Sequence, residues 1–237
     1  MASAKDVEVR VIPAKVANQF VKAHHYSGKV VTNSQLHLGA FLNGRLHGVM
    51  SFGPPMDKSK VLHLVSDTPW NGMLELNRMA FDEVLPKNSE SRCISVAMRL
   101  IRKNAPHVKW ILSYADGCQC GDGTIYRAAG FVLTGISENS TIAILPDGTE
   151  VANMTMNAHL SQPRKELGGK SALEYFNGKY SWSKYLQATG TKMANGYMLR
   201  YVYFIDKKWR DRLTVPEIPY SKIDEMGAGM YKGERKQ

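Results

Sequence analysis

The sequence predicts an α/β protein with one sheet-based core and a basic C-terminal extension. Three observations lead there. Leu74 to Phe131 reads as strand, loop, helix, strand, loop, helix. Val7 to Ile12 alternates apolar and polar residues, and Asn43-Gly44 lies between two apolar runs, which is hairpin chemistry. Beyond Glu150 the composition shifts to Gly, Lys and Asn before a last apolar run, Tyr197 to Ile205.

Taken in order, Val7 to Ile12 alternates as a first strand, and Pro13 to His25 places Val16, Phe20 and Val21 on one face of a short helix. Leu36–Leu42 and Leu46–Phe52 form the predicted hairpin, and Asp57 to Met73 carries no clear element. Leu74–Phe81 is a strand that Pro86 and the cap-rich Asn88-Ser-Glu-Ser bring to an end. Ile94, Ala97, Met98 and Ile101 define one face of a helix, and Val108–Tyr114 is a buried strand. Gly123–Ala129 is a short helix closed by Gly130, and Phe131–Ile136 and Thr141–Leu145 are successive strands. The division is a core over 1–150, a polar basic insertion without a core of its own over 151–196, a returning strand over 197–205 and a charged tail over 206–237.

The net charge of +10 and a pI of about 9.5 favour a polyanionic partner. The charge is uneven: residues 151–237 hold 15 Lys and Arg against 8 Asp and Glu, residues 1–150 hold 16 against 13. Cations neutralise phosphates and aromatic rings stack on bases, so a nucleic acid is the expected partner of the basic region. No apolar run approaches a membrane span, the N-terminus lacks an apolar signal core, and three cysteines make no disulfide framework. A cytoplasmic protein is expected.

Candidate chemistry gathers at four places. Lys87–Ser91 and Arg92, at a helix start, could hold an anion on backbone N–H groups and hydroxyls, or could be a plain capping loop. Arg78 lies inside a strand and Asp116 ends another, so the two form either a structural ion pair or part of a cleft. His24-His25-Tyr26 ends a helix, where histidine serves as a base or simply meets the helix dipole. Cys118-Gln-Cys120 has no second pair and does not meet a zinc pattern, so no metal ligands are assigned.

Gly123-Thr-Ile-Tyr-Arg-Ala-Ala-Gly-Phe131 resembles the helix-to-strand segment of the GNAT acyltransferase superfamily, whose fold would be a mixed, mostly antiparallel sheet flanked by helices. The glycine-bearing pyrophosphate loop of that superfamily has no counterpart in Lys87-Asn-Ser-Glu-Ser-Arg-Cys-Ile94. His25-Tyr26, Leu76-Asn-Arg78, Asn88-Ser-Glu-Ser-Arg92, Ser113-Tyr-Ala-Asp116 and Gly123-Thr-Ile-Tyr126 together resemble the Mom family of phage DNA-modification proteins. The resemblance implies transfer of a carbamoylmethyl (acetamido) group to adenine N6, protection of phage DNA from restriction, and action in the host bacterial cytoplasm. It implies functional roles for His25, Tyr26, Arg78, Ser91 and Asp116, with Ser89, Arg92 and Tyr126 as candidates for holding the donor. Asp116 or His25 would be the base and Tyr26 a stacking partner. The donor is unknown, an acetyl-CoA-like or aminoacyl carrier, and iron enters only through the resemblance. The alternative is a GNAT N-acyltransferase that uses acetyl-CoA on a protein or small amine.

Overall fold

A computed structural model describes residues 2–231 and 234–235. The chain builds β1 (Glu8–Val11), α1 (Ala14–His24), β2 (Leu36–Leu42), β3 (Arg45–Gly53), α2 (Lys58–Leu62), β4 (Met73–Phe81), α3 (Ser89–Asn104), β5 (Trp110–Asp116), α4 (Thr124–Ala128) and β6 (Val132–Glu138). It continues with β7 (Ile142–Ile144), β8 (Glu150–Ala152), α5 (Asn153–Ala158), α6 (Ala172–Tyr175), α7 (Trp182–Thr189), β9 (Lys192–Met193), β10 (Tyr197–Phe204) and α8 (Ser221–Glu225). Two short strands, β11 (Met230–Tyr231) and β12 (Glu234–Arg235), pair antiparallel at the C-terminal end.

Seven strands form the main sheet in the order β1-β2-β3-β4-β5-β10-β6. Every neighbouring pair is antiparallel except β4 with β5. The mixed, mostly antiparallel sheet flanked by helices expected from the sequence is therefore present. Asn43 and Gly44 both take positive φ, 50° and 76°, the backbone a tight hairpin with right-handed strand twist requires.

The β4–β5 pair creates the site. Its parallel register covers three residue pairs, Met73 with Trp110, Leu74 with Ile111 and Glu75 with Leu112. Pairing stops there, while β4 continues to Phe81 and β5 to Asp116. The two strands thus leave a wedge between their C-terminal ends, where backbone groups are free of sheet partners on one side. Asn77 sharpens it. The β3 register jumps between Ser51 (opposite Arg78) and Phe52 (opposite Leu76), so Asn77 is an extra, bulged residue. A bulge re-aims the residues that follow it. Asn77 itself is held by Ser34 Oγ (3.1 Å, to Oδ1) and by Pro54 O (3.4 Å, from Nδ2).

The helices cover opposite faces. The α3 face buries Cys93, Ile94, Ala97, Met98 and Ile101 against Leu38, Met50, Phe52 and Ile111. The other face packs Ala17 and Val21 of α1 on Ile12, Val49 and Ala80. A second cluster, Leu64, Val65, Trp110, Leu112, Val202 and Phe204, is roofed by Trp209, Leu213 and Val215.

Two expectations change. The composition after Glu150 predicts a polar stretch without a core; the structure builds one. Ala143, Leu145, Val151, Met156, Leu167, Ala172 and Tyr185 form a separate buried cluster, beneath a three-stranded sheet β8-β7-β9. This unit begins at β7, before residue 151, because Ile142 pairs with Ala152 and Ala143 with Met193. The segment after residue 206 is a strap rather than a solvated tail. Ile218 N–H donates to Leu133 O (2.8 Å), the Tyr220 hydroxyl donates to Phe131 O, and Ile223, Ala228 and Met230 are buried.

Candidate active site

The bulge at Asn77 turns Arg78 toward the α1 face of the sheet, in one cross-strand row with Ser51 and His37. The half-buried guanidinium donates from Nε to Lys29 O (3.0 Å) and from Nη1 to Asn77 O (2.7 Å). Burial pushes its pKa down, against the pull of Tyr26 and Glu75. Among the described residues no carboxylate lies within ion-pair distance of it, so the ion pair with Asp116 weighed from the sequence does not form. A buried cation held only by carbonyls leaves charge available for an anionic or strongly polar group.

Asp116 ends β5 and is 8% exposed. Its Oδ1 accepts from Cys118 N–H (3.0 Å), and its carbonyl accepts from Gln119 and Cys120. Burial raises its carboxyl pKa, and the hydrogen bonds from Cys118 and Gln119 oppose that rise. The result is a carboxylate that is a stronger proton acceptor than a solvated one and is held in a fixed orientation.

His25 follows the last turn of α1. Its ring tilts on Tyr26 at 4.2 Å between centroids. Its Nδ1 accepts from Ser27 N–H (3.1 Å) and lies 2.8 Å from Ser27 Oγ. Burial, with Arg78 adding repulsion, pushes the pKa down to about 4. The imidazole is therefore neutral at pH 7, and with Nδ1 accepting, the proton sits on Nε2. That tautomer makes His25 a hydrogen-bond donor. Of the two bases weighed from the sequence, Asp116 is the stronger proton acceptor, because burial lowers the pKa of His25 and Ser27 N–H engages its Nδ1 lone pair. Tyr26 is 55% exposed. Burial of its hydroxyl, together with Cys120 and Asp116, pushes the phenol above its usual value, so it stays protonated.

The other side of the wedge faces α3 and α4. A cleft of about 440 Å³ is lined by Phe81, the 82–91 loop and helix start, and Thr124, Ile125 and Ala128. Ser89 and Ser91 both line it. Ser89 Oγ is buried, with no hydrogen-bond partner among the described residues, while Ser91 Oγ donates to Asn88 O (3.2 Å). An orphaned buried hydroxyl costs stability unless a ligand meets it. Asn88 opens the 16-residue α3 in the left-handed region (φ 68°) without a side-chain cap, and Ser89 N–H donates to Pro86 O (3.1 Å). Tyr126 is buried on Phe131 and Tyr201 at 5.4 Å each, with its hydroxyl toward Ser113.

The structure therefore brings His25, Tyr26, Arg78 and Asp116 to the α1 side, and Ser89, Ser91 and Tyr126 to the α3–α4 side. Arg92 joins neither group. Its guanidinium donates to Val7 O (2.8 Å) and Lys5 O (3.2 Å), tying the N-terminal segment to α3. Proximity in sequence to the helix start suggested a donor contact, but the side chain extends along the opposite side of the turn.

Sequence reasoning missed Ser27, Asn77 and Gly123. Asn-Arg in a strand was a signal for a bulge, and Gly123 (φ 78°) is required because a Cβ there would lie 2.4 Å from the Tyr201 ring. Ser27 carried no signal beyond its nearness to His25. An iron ion does not fit: among the described residues no three His, Cys, Asp or Glu side chains are arranged to hold a metal ion, and His25 Nδ1 is already occupied by Ser27.

The model of the Mom protein family matches residues 6–222. A methylcarbamoylase, Mom of Escherichia phage Mu, is 35% identical over 211 residues, 89% of this chain and 80% of that protein. Among solved structures, the IAA acetyltransferase from Bacillus cereus ATCC 14579 aligns at 10% identity with a TM-score of 0.43, over 84% of this chain and 99% of that one. The ribosomal-protein-S18-alanine N-acetyltransferase from Escherichia coli aligns at 9% identity and 0.43, over 84% and 94%.

Proposed function

The chain belongs to the Mom protein family, and from that premise we propose that it transfers a carbamoylmethyl group to the exocyclic N6 amine of adenine in DNA, shielding phage DNA from host restriction. The observation that supports this reading best is the wedge between β4 and β5, with Arg78 and Asp116 at its strand ends and a cleft beyond Phe81, at the end of β4, lined by the starts of α3 and α4. Two reactants can approach one another through it from opposite sides of the sheet.

On the α1 side the adenine, taken out of the base stack, would lie against the exposed Tyr26. Adenine N6 is a weak nucleophile because its lone pair is delocalised into the ring. Asp116 accepts the N6 proton as the bond from N6 to the carbamoylmethyl carbon forms, and the leaving group departs toward the α3 side with the electron pair of the broken bond. His25 donates through Nε2, and Arg78 stabilises negative charge that develops on the donor or leaving group. Ser89, Ser91 and the first-turn amides of α3 would hold the donor. The missing glycine loop disfavours an acetyl-CoA enzyme acting on a protein or small amine.

The test is nucleoside mass spectrometry of plasmid DNA from cells that express the wild type or Asp116→Asn. The wild type should yield a deoxyadenosine heavier by one carbamoylmethyl group. The variant, with the same shape and no base, should yield at least about 100-fold less. An active Asp116→Asn protein would remove the base from the mechanism, and plasmid without the adduct from soluble wild type would reject the reading.

A further inference from the structure

We infer that the small unit between β6 and β10, residues 141–194, is the surface that grips duplex DNA beside the wedge, and that the strap after β10 is not. This rests on the proposed action on DNA and assigns it a surface.

The first observation is uncompensated charge. Lys165, Lys170, Lys179, Lys184 and Lys192 are all exposed, and none has an ion pair among the described residues. The four carboxylates of residues 141–194 are already used: Asp147 accepts from Thr149 N–H (2.9 Å) and Glu150 from Gln119 Nε2 (2.8 Å). Glu166 accepts from Arg164 (2.5 Å) and from the Tyr185 hydroxyl (2.7 Å), and Glu174 accepts from Ser171 N–H (2.8 Å) as a helix cap. The lysines are also grouped. Arg164 N–H donates to Lys170 O (3.1 Å), closing one turn, and Lys184 Nζ donates to Lys179 O (3.1 Å), closing the next. Tyr180 and Tyr185 of the same unit pack with ring centroids 6.5 Å apart.

The strap holds fewer free cations: over residues 206–231 Lys207 and Lys208 are exposed without an ion pair among the described residues, and the others are matched. Arg210 is held by Glu217 through two 2.5 Å contacts, Arg212 pairs with Asp67 (3.7 Å) and lies over the Trp209 ring, and Lys222 pairs with Glu225. Cations already matched to protein carboxylates gain less from a phosphate than free ones do.

The second observation is placement. The unit touches both walls of the wedge. Lys29 Nζ donates to Thr155 Oγ1 (2.7 Å), and the carbonyl of the same Lys29 holds Arg78. Gln119 Nε2 donates to Glu150 Oε2 (2.8 Å), and the backbone of the same Gln119 donates to the Asp116 carbonyl. A duplex whose flipped adenine enters beside Tyr26 must pass this unit, and its phosphates would meet the free lysines.

The test uses the full-length protein and a fluorescent duplex, with affinity followed from about 50 to about 200 mM salt. Each phosphate contact contributes about 0.9 to the slope of log K against log salt. The variant Lys165→Ala/Lys170→Ala/Lys179→Ala/Lys184→Ala should lose about 3 to 4 from that slope and bind at least about tenfold more weakly. Lys207→Ala/Lys208→Ala should change little. All six side chains are exposed, and a thermal melt checks that both variants remain folded. Unchanged affinity and slope in the fourfold variant, or the loss appearing in the strap variant instead, would overturn the inference. Nucleoside mass spectrometry separates the two claims. Adduct formation by wild type with no lysine effect rejects this surface alone; lysine-dependent binding with no adduct rejects the modification reading and leaves the surface standing.

Discussion

At the scale of single residues, the site depends on protonation states fixed by neighbours. His25 illustrates this with a stability consequence. Its folded pKa lies near 4, below the ordinary value of 6.5. Between those values the unfolded chain binds the proton and the folded chain does not, so stability rises with pH through this window. The contribution is fully present above about pH 6.5 and is lost as pH falls toward 4. A shift of this size corresponds to about 3 kcal/mol for a fully protected ring, and about 1–3 kcal/mol is expected here. His25→Asn keeps an acceptor for Ser27 N–H and removes the titration. Urea denaturation at pH 7 and near pH 4.5 should show wild type losing more stability than His25→Asn on acidification. Equal losses would mean that the imidazole is solvated. Arg92 shows the limit of reading residues one at a time. Its position beside Ser89 and Ser91 was legible, but its bond to Val7, 85 positions earlier in the chain, was not.

At the scale of elements, the unit from β4 to α4 was legible because each piece carries a local signal. Apolar positions repeat at helical spacing in α3, Pro86 and the Asn-Ser-Glu-Ser run mark its start, and Gly130 closes α4. The three-pair parallel contact of β4 with β5 was not legible, because no local pattern encodes where two strands part. The start of α3 gives a sharp test. Asn88 holds φ 68°, a conformation that Asn and Gly reach readily and a β-branched residue does not. Asn88→Gly should alter stability by less than about 0.5 kcal/mol, whereas Asn88→Val should cost about 1–2 kcal/mol. Chemical denaturation of the two variants measures the difference. A Val variant as stable as the Gly variant would mean that the turn relaxes to a right-handed start, which would also move Ser89 out of the cleft.

At the scale of the whole molecule, two cores share one chain. The smaller was missed in the sequence because Met156, Leu167 and Tyr185 stand singly among Gly, Lys and Asn, and no periodic run announces that they meet. Its ends explain how it could be inserted. Asn139 N–H donates to Gly196 O (2.9 Å), and Asn139 Nδ2 donates to Ala194 O (2.8 Å). The chain therefore leaves and rejoins the main sheet at nearly the same point, as inserted units commonly do. Removing residues 141–194 and joining Ser140 to Asn195 through two glycines should leave the seven-stranded sheet intact. The losses are the exposed bonds Lys29–Thr155 and Gln119–Glu150 and the Asn139 side-chain bonds to Thr141, Ile142 and Ala194, each worth about 1 kcal/mol, against a main core that contributes none of its buried side chains to the unit. The shortened protein should be soluble and melt in one cooperative transition followed by circular dichroism. The strap makes the opposite prediction within the same experiment. Ending the chain at Ile205 strips Trp209, Leu213 and Val215 from the cluster around Trp110 and Val202, and that protein should aggregate or melt far lower. If the excised form collapsed while the strapless form stayed folded, the division into a self-standing core and an added DNA-facing unit would be wrong. The reverse outcome would place structural support in the strap and leave the inserted unit free to serve binding.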